Sequence, residues 1–262
     1  MEIELGWPKV TLAGTIKFVS LFILVLGFIS LLASAIFDSY VTAFMGLGLV
    51  LWGSLLLLIT PTRYVKLELL TAASSSQAVN LEKILNSTES NGKGIYLPPT
   101  LLRDYLSSLV FVSAEGSESL PKREDVPEEK TLMTPQGLFL APSGFGLSRL
   151  FEKELGKSFT GLHLNDLATE LPKLFGELGI TKTASITVEG GKVIFETGNY
   201  VFRDLCTETR KLPRTHETVG CPFSSAIACA LAKATGKPVT IEQEEQKPNS
   251  EATTIHYRIL EE

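Results

Sequence analysis

Along residues 18–62 the mixing of apolar and polar positions stops: there is no Lys, Arg or Glu, and Asp38 is the single acid. Asp38 divides the run into two apolar stretches, 16–37 and 41–59, each close to the ~20 residues a helix needs to cross ~30 Å of hydrocarbon. A helix satisfies its own backbone polar groups in lipid, so both stretches are predicted to be membrane spans. Only Asp38, Ser39 and Tyr40 lie between them, which makes the pair a tight antiparallel hairpin. Ser20, Gly27 and Ser34 recur at every seventh residue of the first stretch, as do Gly46 and Gly53 in the second. Small residues on one stripe let membrane helices approach closely, and these five form the expected seam. Lys9 and Lys17 precede the hairpin and Arg63 and Lys66 follow it, so the positive-inside rule places both termini in the cytoplasm. Ala33-Ser34-Ala35 imitates a signal-peptide cleavage site, but Glu2, Glu4 and the second span point to an uncleaved anchor.

After Pro61 the pattern becomes that of a soluble chain. Ala78, Val79, Leu81, Ile84 and Leu85 give 67–85 an apolar helical stripe, ended by turn formers over 86–94. A short helix over 101–109 is expected, with Thr100 as its cap. Residues 113–130, rich in Ser, Glu, Lys and Pro, bury too little to offset their ordering entropy and are predicted to form a mobile loop. Residues 138–140 read as a short strand. Leu147, Leu150, Phe151 and Leu155 share one helix face. Leu164, Leu167, Leu171, Leu174 and Leu178 form another, kinked or divided at Pro172. Two β-rich runs, 185–189 and 192–197, meet at Gly190-Gly191, a two-residue hairpin signal. A helix over 200–210 follows, then one opened by Gly220-Cys221-Pro222 and stopped at Gly236. Strands over 239–242 and 253–260 flank a polar loop, 243–252, and turn Ile255, Tyr257 and Ile259 toward the core. The expected fold class is α+β, a transmembrane hairpin followed by a cytoplasmic mixed α/β domain with an antiparallel sheet. The expected divisions are the hairpin over 1–62, a helical connector over 63–112, the mobile loop over 113–135 and the mixed α/β domain over 136–262.

Composition narrows the function. With 262 residues, a formal net charge of −5 and no basic run, the chain offers no electrostatic footprint for nucleic acid. Cys206, Cys221 and Cys229 lie in the part predicted to be cytoplasmic and are expected to be reduced thiols. Cys221 stands at a helix N-terminus, where the dipole favours a thiolate, and is the candidate reactive or ligand-binding thiol. Cys206, His216, Cys221 and Cys229 are too irregularly spaced to read as a metal cluster. There is no Gly-rich phosphate loop, nucleophile elbow or Cys–His signature. No catalytic residue and no cofactor is therefore expected.

Two helices, a hairpin, a helix, Cys221-Pro222-Phe223 opening a small-residue helix, then Gly236-Lys237-Pro238-Val239-Thr240-Ile241-Glu242 and a final strand make a familiar order. Residues 140–260 resemble the 4-vinyl-reductase-type domain, shared with TRAPP vesicle-tethering subunits and the phenol-sensing regions of bacterial activators. The resemblance implies a mixed α/β domain, usually dimeric, with a hydrophobic pocket for a small or acyl ligand. It places candidate ligand-binding residues Cys221, Ala226, Ala230, Val193 and Phe195 between the helix after Cys221 and the 185–197 hairpin. Some members hold a metal on a Cys at the helix opening, a Glu after the next strand and two further cysteines. Cys221 and Glu242 match the first two positions, but Glu245 and Thr253 or Thr254 stand at the others, so that metal site is expected to be lost. The expected function is a membrane-anchored cytoplasmic module that senses a small or lipidic ligand or scaffolds partners. Its expected partners are the lipid bilayer, a hydrophobic small molecule and a second copy of the chain. The alternative is a thiol- or metal-dependent enzyme centred on Cys221.

Overall fold

The computed structural model of the chain describes residues 12–59, 67–88, 92–102, 108–114, 116, 120–124, 126, 133–246 and 252–261. They fall into two units, Met1–Leu67 and Glu68–Glu262. Lys9, Arg63 and Lys66, on which the expected orientation rests, lie outside the described residues, as do parts of the 113–130 and 243–252 loops.

The first unit is a helical hairpin of α1 (Leu12–Phe37) and α2 (Tyr40–Ile59). Its turn needs one left-handed residue, and Asp38 takes it at φ 43°, a region Asp enters more readily than most residues. The Ser39 carbonyl accepts from the Ser34 hydroxyl at 3.1 Å and the Thr42 hydroxyl at 2.8 Å. Along the expected seam, a Cβ added at Gly27 would lie 2.8 Å from the Val50 amide nitrogen. One at Gly46 would lie 2.9 Å from Leu31 Cγ, and one at Gly53 2.9 Å from the Leu24 amide nitrogen. Ser20 is fully buried on the same seam. Phe18, Phe22, Phe44 and Leu58 point outward and are largely exposed. Both helices are long and apolar enough to cross a membrane.

The seam makes a direct prediction. Gly27→Leu should force α1 and α2 apart, because the obstacles to its Cβ include the Val50 amide nitrogen and the Gly46 carbonyl oxygen, backbone that cannot turn aside. In full-length protein in mild detergent, the SDS concentration that separates dye labels at positions 18 and 58 should fall. An unchanged midpoint would mean the helices are not held by this close approach.

The second unit is an antiparallel sheet with helices against it. In chain order it contains α3 (Leu67–Ser87), β1 (Ile95–Tyr96), β2 (Val110–Ser113), β3 (Met133–Thr134), β4 (Gly137–Leu140), α4 (Phe145–Leu155) and α5 (Leu164–Glu177). There follow β5 (Ala184–Glu189), β6 (Lys192–Thr197), α6 (Arg203–Arg210), α7 (Pro213–Val219), α8 (Pro222–Thr235), β7 (Val239–Gln246) and β8 (Thr253–Ile259). The sheet order is β3-β4-β2-β1-β7-β8-β6-β5. Gly190 and Gly191, at φ 51° and 83°, supply the paired positive φ that a two-residue turn between twisted strands requires. Pro222 opens α8 and Gly236, at φ 65°, closes it.

Almost all of α8 is buried, from Phe223 through Lys233. Its alanines bring it close to the sheet on one side and to α4 on the other, where a Cβ at Gly144 would lie 2.1 Å from the Ala226 amide nitrogen. Phe223, Phe175, Phe195, Val193, Ile255 and Tyr257 belong to the main core around it. Phe111 and Phe139 alternate with Val110, Val112, Leu138 and Leu140, so they point to the opposite face. There they form a smaller cluster with Ile95, Leu97, Leu102, Val126 and Leu260.

Two local expectations change, and the structure settles or adds two further elements. The 63–112 segment is not a helical connector throughout: after Ser87 it supplies β1 and β2, which join β4 to β7. The sheet domain therefore starts before residue 136, and its boundary with the hairpin falls at Leu67. In place of a helix from 101, the described residues show a 3₁₀ turn, Pro99–Leu101, with Leu102 extended, while 103–107 lie outside them. One continuous helix, α5, carries Pro172 in its interior. The segment between α6 and Gly220 forms a further helix, α7, in which Thr215, Thr218 and Val219 are buried.

Candidate functional site

Sequence reasoning centred the chemistry on Cys221, and the structure gives that residue a partner. Cys221 is the N-cap of α8, its sulfur facing the Ser224 amide at 3.4 Å. Cys206 lies on α6, and the two are joined by a disulfide with a Cα–Cα distance of 5.0 Å, inside the usual range of about 4.4–6.8 Å. The expectation of three reduced thiols is thus corrected for two of them. Both sulfurs belong to buried residues. The third, Cys229, is free and buried, and burial chiefly pushes its thiol up to about 12, making it inert.

The bond closes a loop across a sequence separation of 15 that contains all of α7. In the chain-entropy account such a loop closure stabilises by about 3 kcal/mol.

Next to the sulfurs sits a carboxylate the sequence did not single out. Strict alternation from Val239 and Ile241 would turn Gln243 and Glu245 inward. A bulge at Glu242 shifts the register, so Ile241 faces Tyr257 while Gln243 faces His256. Past the bulge the parity is reversed. Glu244 now turns in, its side chain only 2% exposed, and Arg210 on α6 pairs with it at 2.7 Å. Arg210 also hydrogen-bonds Gln246. His216 on α7 approaches the other Glu244 oxygen at 3.4 Å. Burial pushes the Glu244 carboxyl up, but the adjoining His216 imidazole and the Arg210 guanidinium outweigh it and hold it below the usual range. Nearby, burial first and the Glu244 charge second raise the Tyr200 phenol to about 12.

Ligand atoms of Cys206, Cys221 and Glu244 lie within 4.8 Å of one another. With the bond broken they offer two thiolates and a carboxylate, three of the four corners of a tetrahedral site. As a disulfide the sulfurs offer no thiolate, and Glu244 is the one ligand left. Glu242, the ligand expected by resemblance, is not in this group: it points to Arg258 at 2.8 Å and Lys192 at 3.9 Å. Glu245 pairs with the Gln243 amide at 2.8 Å, on the exposed side of β7.

Val193, Phe195, Ala226 and Ala230, the expected walls of a ligand pocket, are all fully buried in the main core. Phe195 and Phe223 meet there with ring centroids 5.7 Å apart. Surface depressions of about 410 Å³ beside His163 and Lys237, and about 630 Å³ beside Lys182 and Glu196, are lined by other residues.

A further polar contact ties α3 to this region. The Glu82 carboxylate accepts from the Arg214 amide at 3.3 Å, the Thr215 amide at 2.7 Å and the Thr215 hydroxyl at 2.8 Å. Nothing in the local pattern signals it, since Glu82 and Thr215 are far apart in sequence. No curated protein and no solved structure matches the chain. Residues 12–258 match the family described as a domain of unknown function, DUF7982, and the chain belongs to that family.

Proposed function

We propose that this protein is a membrane-anchored, non-catalytic sensing module whose input is the thiol–disulfide state of Cys206 and Cys221. The observation that carries the reading is the buried cysteine pair, set against a buried carboxylate with its own cation. The two long apolar helices support anchoring. The family match runs from residue 12 through 258, so the hairpin and the sheet domain belong to one family unit. Lys9, Lys17, Arg63 and Lys66 favour a cytoplasmic location for both termini and the sheet domain. In that compartment thiol buffers keep cysteines reduced, and an intramolecular disulfide is typically a transient, sensing state. A sensing role agrees with the resemblance of residues 140–260 to the 4-vinyl-reductase-type domain. The packing of Val193, Phe195, Ala226 and Ala230 favours the cysteines, rather than the space between α8 and the β5–β6 hairpin, as the input.

The step is a two-electron exchange. A dithiol reductant breaks the S–S bond, two electrons and two protons give two thiols, and the reductant leaves as its own disulfide. Alkylation of the full chain in denaturant after each treatment, followed by mass spectrometry, should count one thiol, that of Cys229, after oxidised glutathione. After dithiothreitol it should count all three. Three thiols in both states would overturn the reading. So would labelling of a Ser250→Cys variant by a membrane-impermeant maleimide in intact cells, because a bond outside the cytoplasm would be a permanent staple.

A further inference from the structure

We propose that α3, the element next in sequence after the membrane hairpin, reads the redox state of Cys206–Cys221 through α7, with Glu82 as the coupling residue. The inference rests on the sensing role proposed above and adds the route by which the input reaches the rest of the chain.

The route follows from how α7 is held. This helix has no cap of its own, since its N-cap position is Leu212 and makes no side-chain hydrogen bond. Glu82 supplies the missing acceptor from α3, taking up two amides and a hydroxyl at Arg214 and Thr215. The far end of α7 is fixed as well: the Val219 carbonyl accepts from the Tyr96 hydroxyl at 2.6 Å and the Thr218 carbonyl from the Gly94 amide at 2.8 Å. Between these ends, the disulfide closes the loop that contains the whole helix. On α3 itself, Leu85 enters the main core and Leu81 packs against it, on either side of Glu82, while Val79 and Ile84 stay partly exposed. Among the described residues, Glu82 therefore ties α3 to the α7 N-terminus between two leucines packed on the core.

Reduction acts on this arrangement in two ways. A dithiol reductant, by the balanced exchange given above, removes the covalent closure of the loop. It also leaves two thiols beside the buried Glu244 carboxylate, and a thiolate there would be repelled by it. Both changes loosen α6 and α7, and a loosened α7 presents its N-terminal amides to Glu82 less steadily. α3 then loses its cap partner, and the oxidised and reduced proteins differ in how firmly α3 is held.

Hydrogen exchange of the full chain in lipid nanodiscs tests the relay, comparing oxidised glutathione with dithiothreitol. On reduction, peptides covering 213–219 and 79–87 should both exchange faster, by about fivefold or more. In Glu82→Ala the α7 response should persist while α3 exchanges equally in both states. Thr215→Val, which removes only the hydroxyl donor, should shrink the α3 response and guards against a Glu82 variant that fails to fold. An α7 response without an α3 response in the wild type overturns the relay and leaves the redox reading standing. An undiminished α3 response in both variants overturns Glu82 as the coupling residue. If alkylation shows no disulfide in either state, the underlying reading falls with it.

Discussion

Replacing Phe223 with Ala is expected to destabilise the sheet domain by about 3–5 kcal/mol, the range for an aromatic core truncation. The side chain is fully buried near the start of α8. Its ring lies 5.3 Å from Phe175, 5.7 Å from Phe195, 5.2 Å from Tyr200 and 5.6 Å from Phe202, centroid to centroid. These neighbours come from α5, β6 and the segment leading into α6, so the ring joins three separate parts of the domain. Alanine would leave a cavity walled by aromatic rings, and a close-packed interior recovers little of the lost contact. Urea-dependent proteolysis of the full chain in detergent measures the loss. A cost below about 1 kcal/mol would mean that the α8–hairpin interior is loosely filled. That result would revive the ligand pocket expected between α8 and the β5–β6 hairpin.

The elements that could be read in advance share one property: a single local signal decides them. Gly190-Gly191 admits few backbone courses other than a tight hairpin turn. Pro222 and Gly236 punctuate α8 at both ends. The every-seventh spacing of Ser20, Gly27 and Ser34, and of Gly46 and Gly53, marks the helix seam, where a methyl group added at each glycine meets backbone. The α+β class followed from these. The elements missed have no such signal. β1 is two residues long, too short for a period, and finds its place only through Ile95 and Tyr96 pairing with β2 and β7. α7 is largely polar and is helical because Glu82 and Tyr96 hold its ends. Glu244 was hidden for a different reason. Its inward direction depends on a bulge at Glu242, and one extra residue reverses which side of the strand is inside. Cys206 and Cys221 are close only because α6 and α7 fold back between them.

Arg210→Ala is expected to cost about 3–5 kcal/mol at neutral pH, since breaking a buried ion pair from one side strands the other charge. The partner left behind is Glu244, whose side chain is 2% exposed, with the His216 imidazole at 3.4 Å as its remaining neighbour. Packing loss alone would not depend on pH, so acid separates the two contributions. In the wild type the folded Glu244 carboxyl is held below its ordinary value. Its contribution to stability is therefore present above the unfolded value and lost as pH falls through the folded one. Without Arg210 one of the groups opposing the effect of burial is gone, and the carboxyl moves up. The variant can then neutralise Glu244 at a milder pH than the wild type. Its deficit should be widest near neutrality and narrow as pH falls through the carboxylate range. Arg210→Met combined with Glu244→Met should recover much of the loss, because no buried charge remains. Chemical denaturation from neutral to mildly acidic pH, run on the oxidised protein so that the disulfide is constant, reads all three. A deficit that stays constant with pH, and that the double variant fails to reduce, would show that Arg210 acts through packing and that Glu244 is not held by its charge.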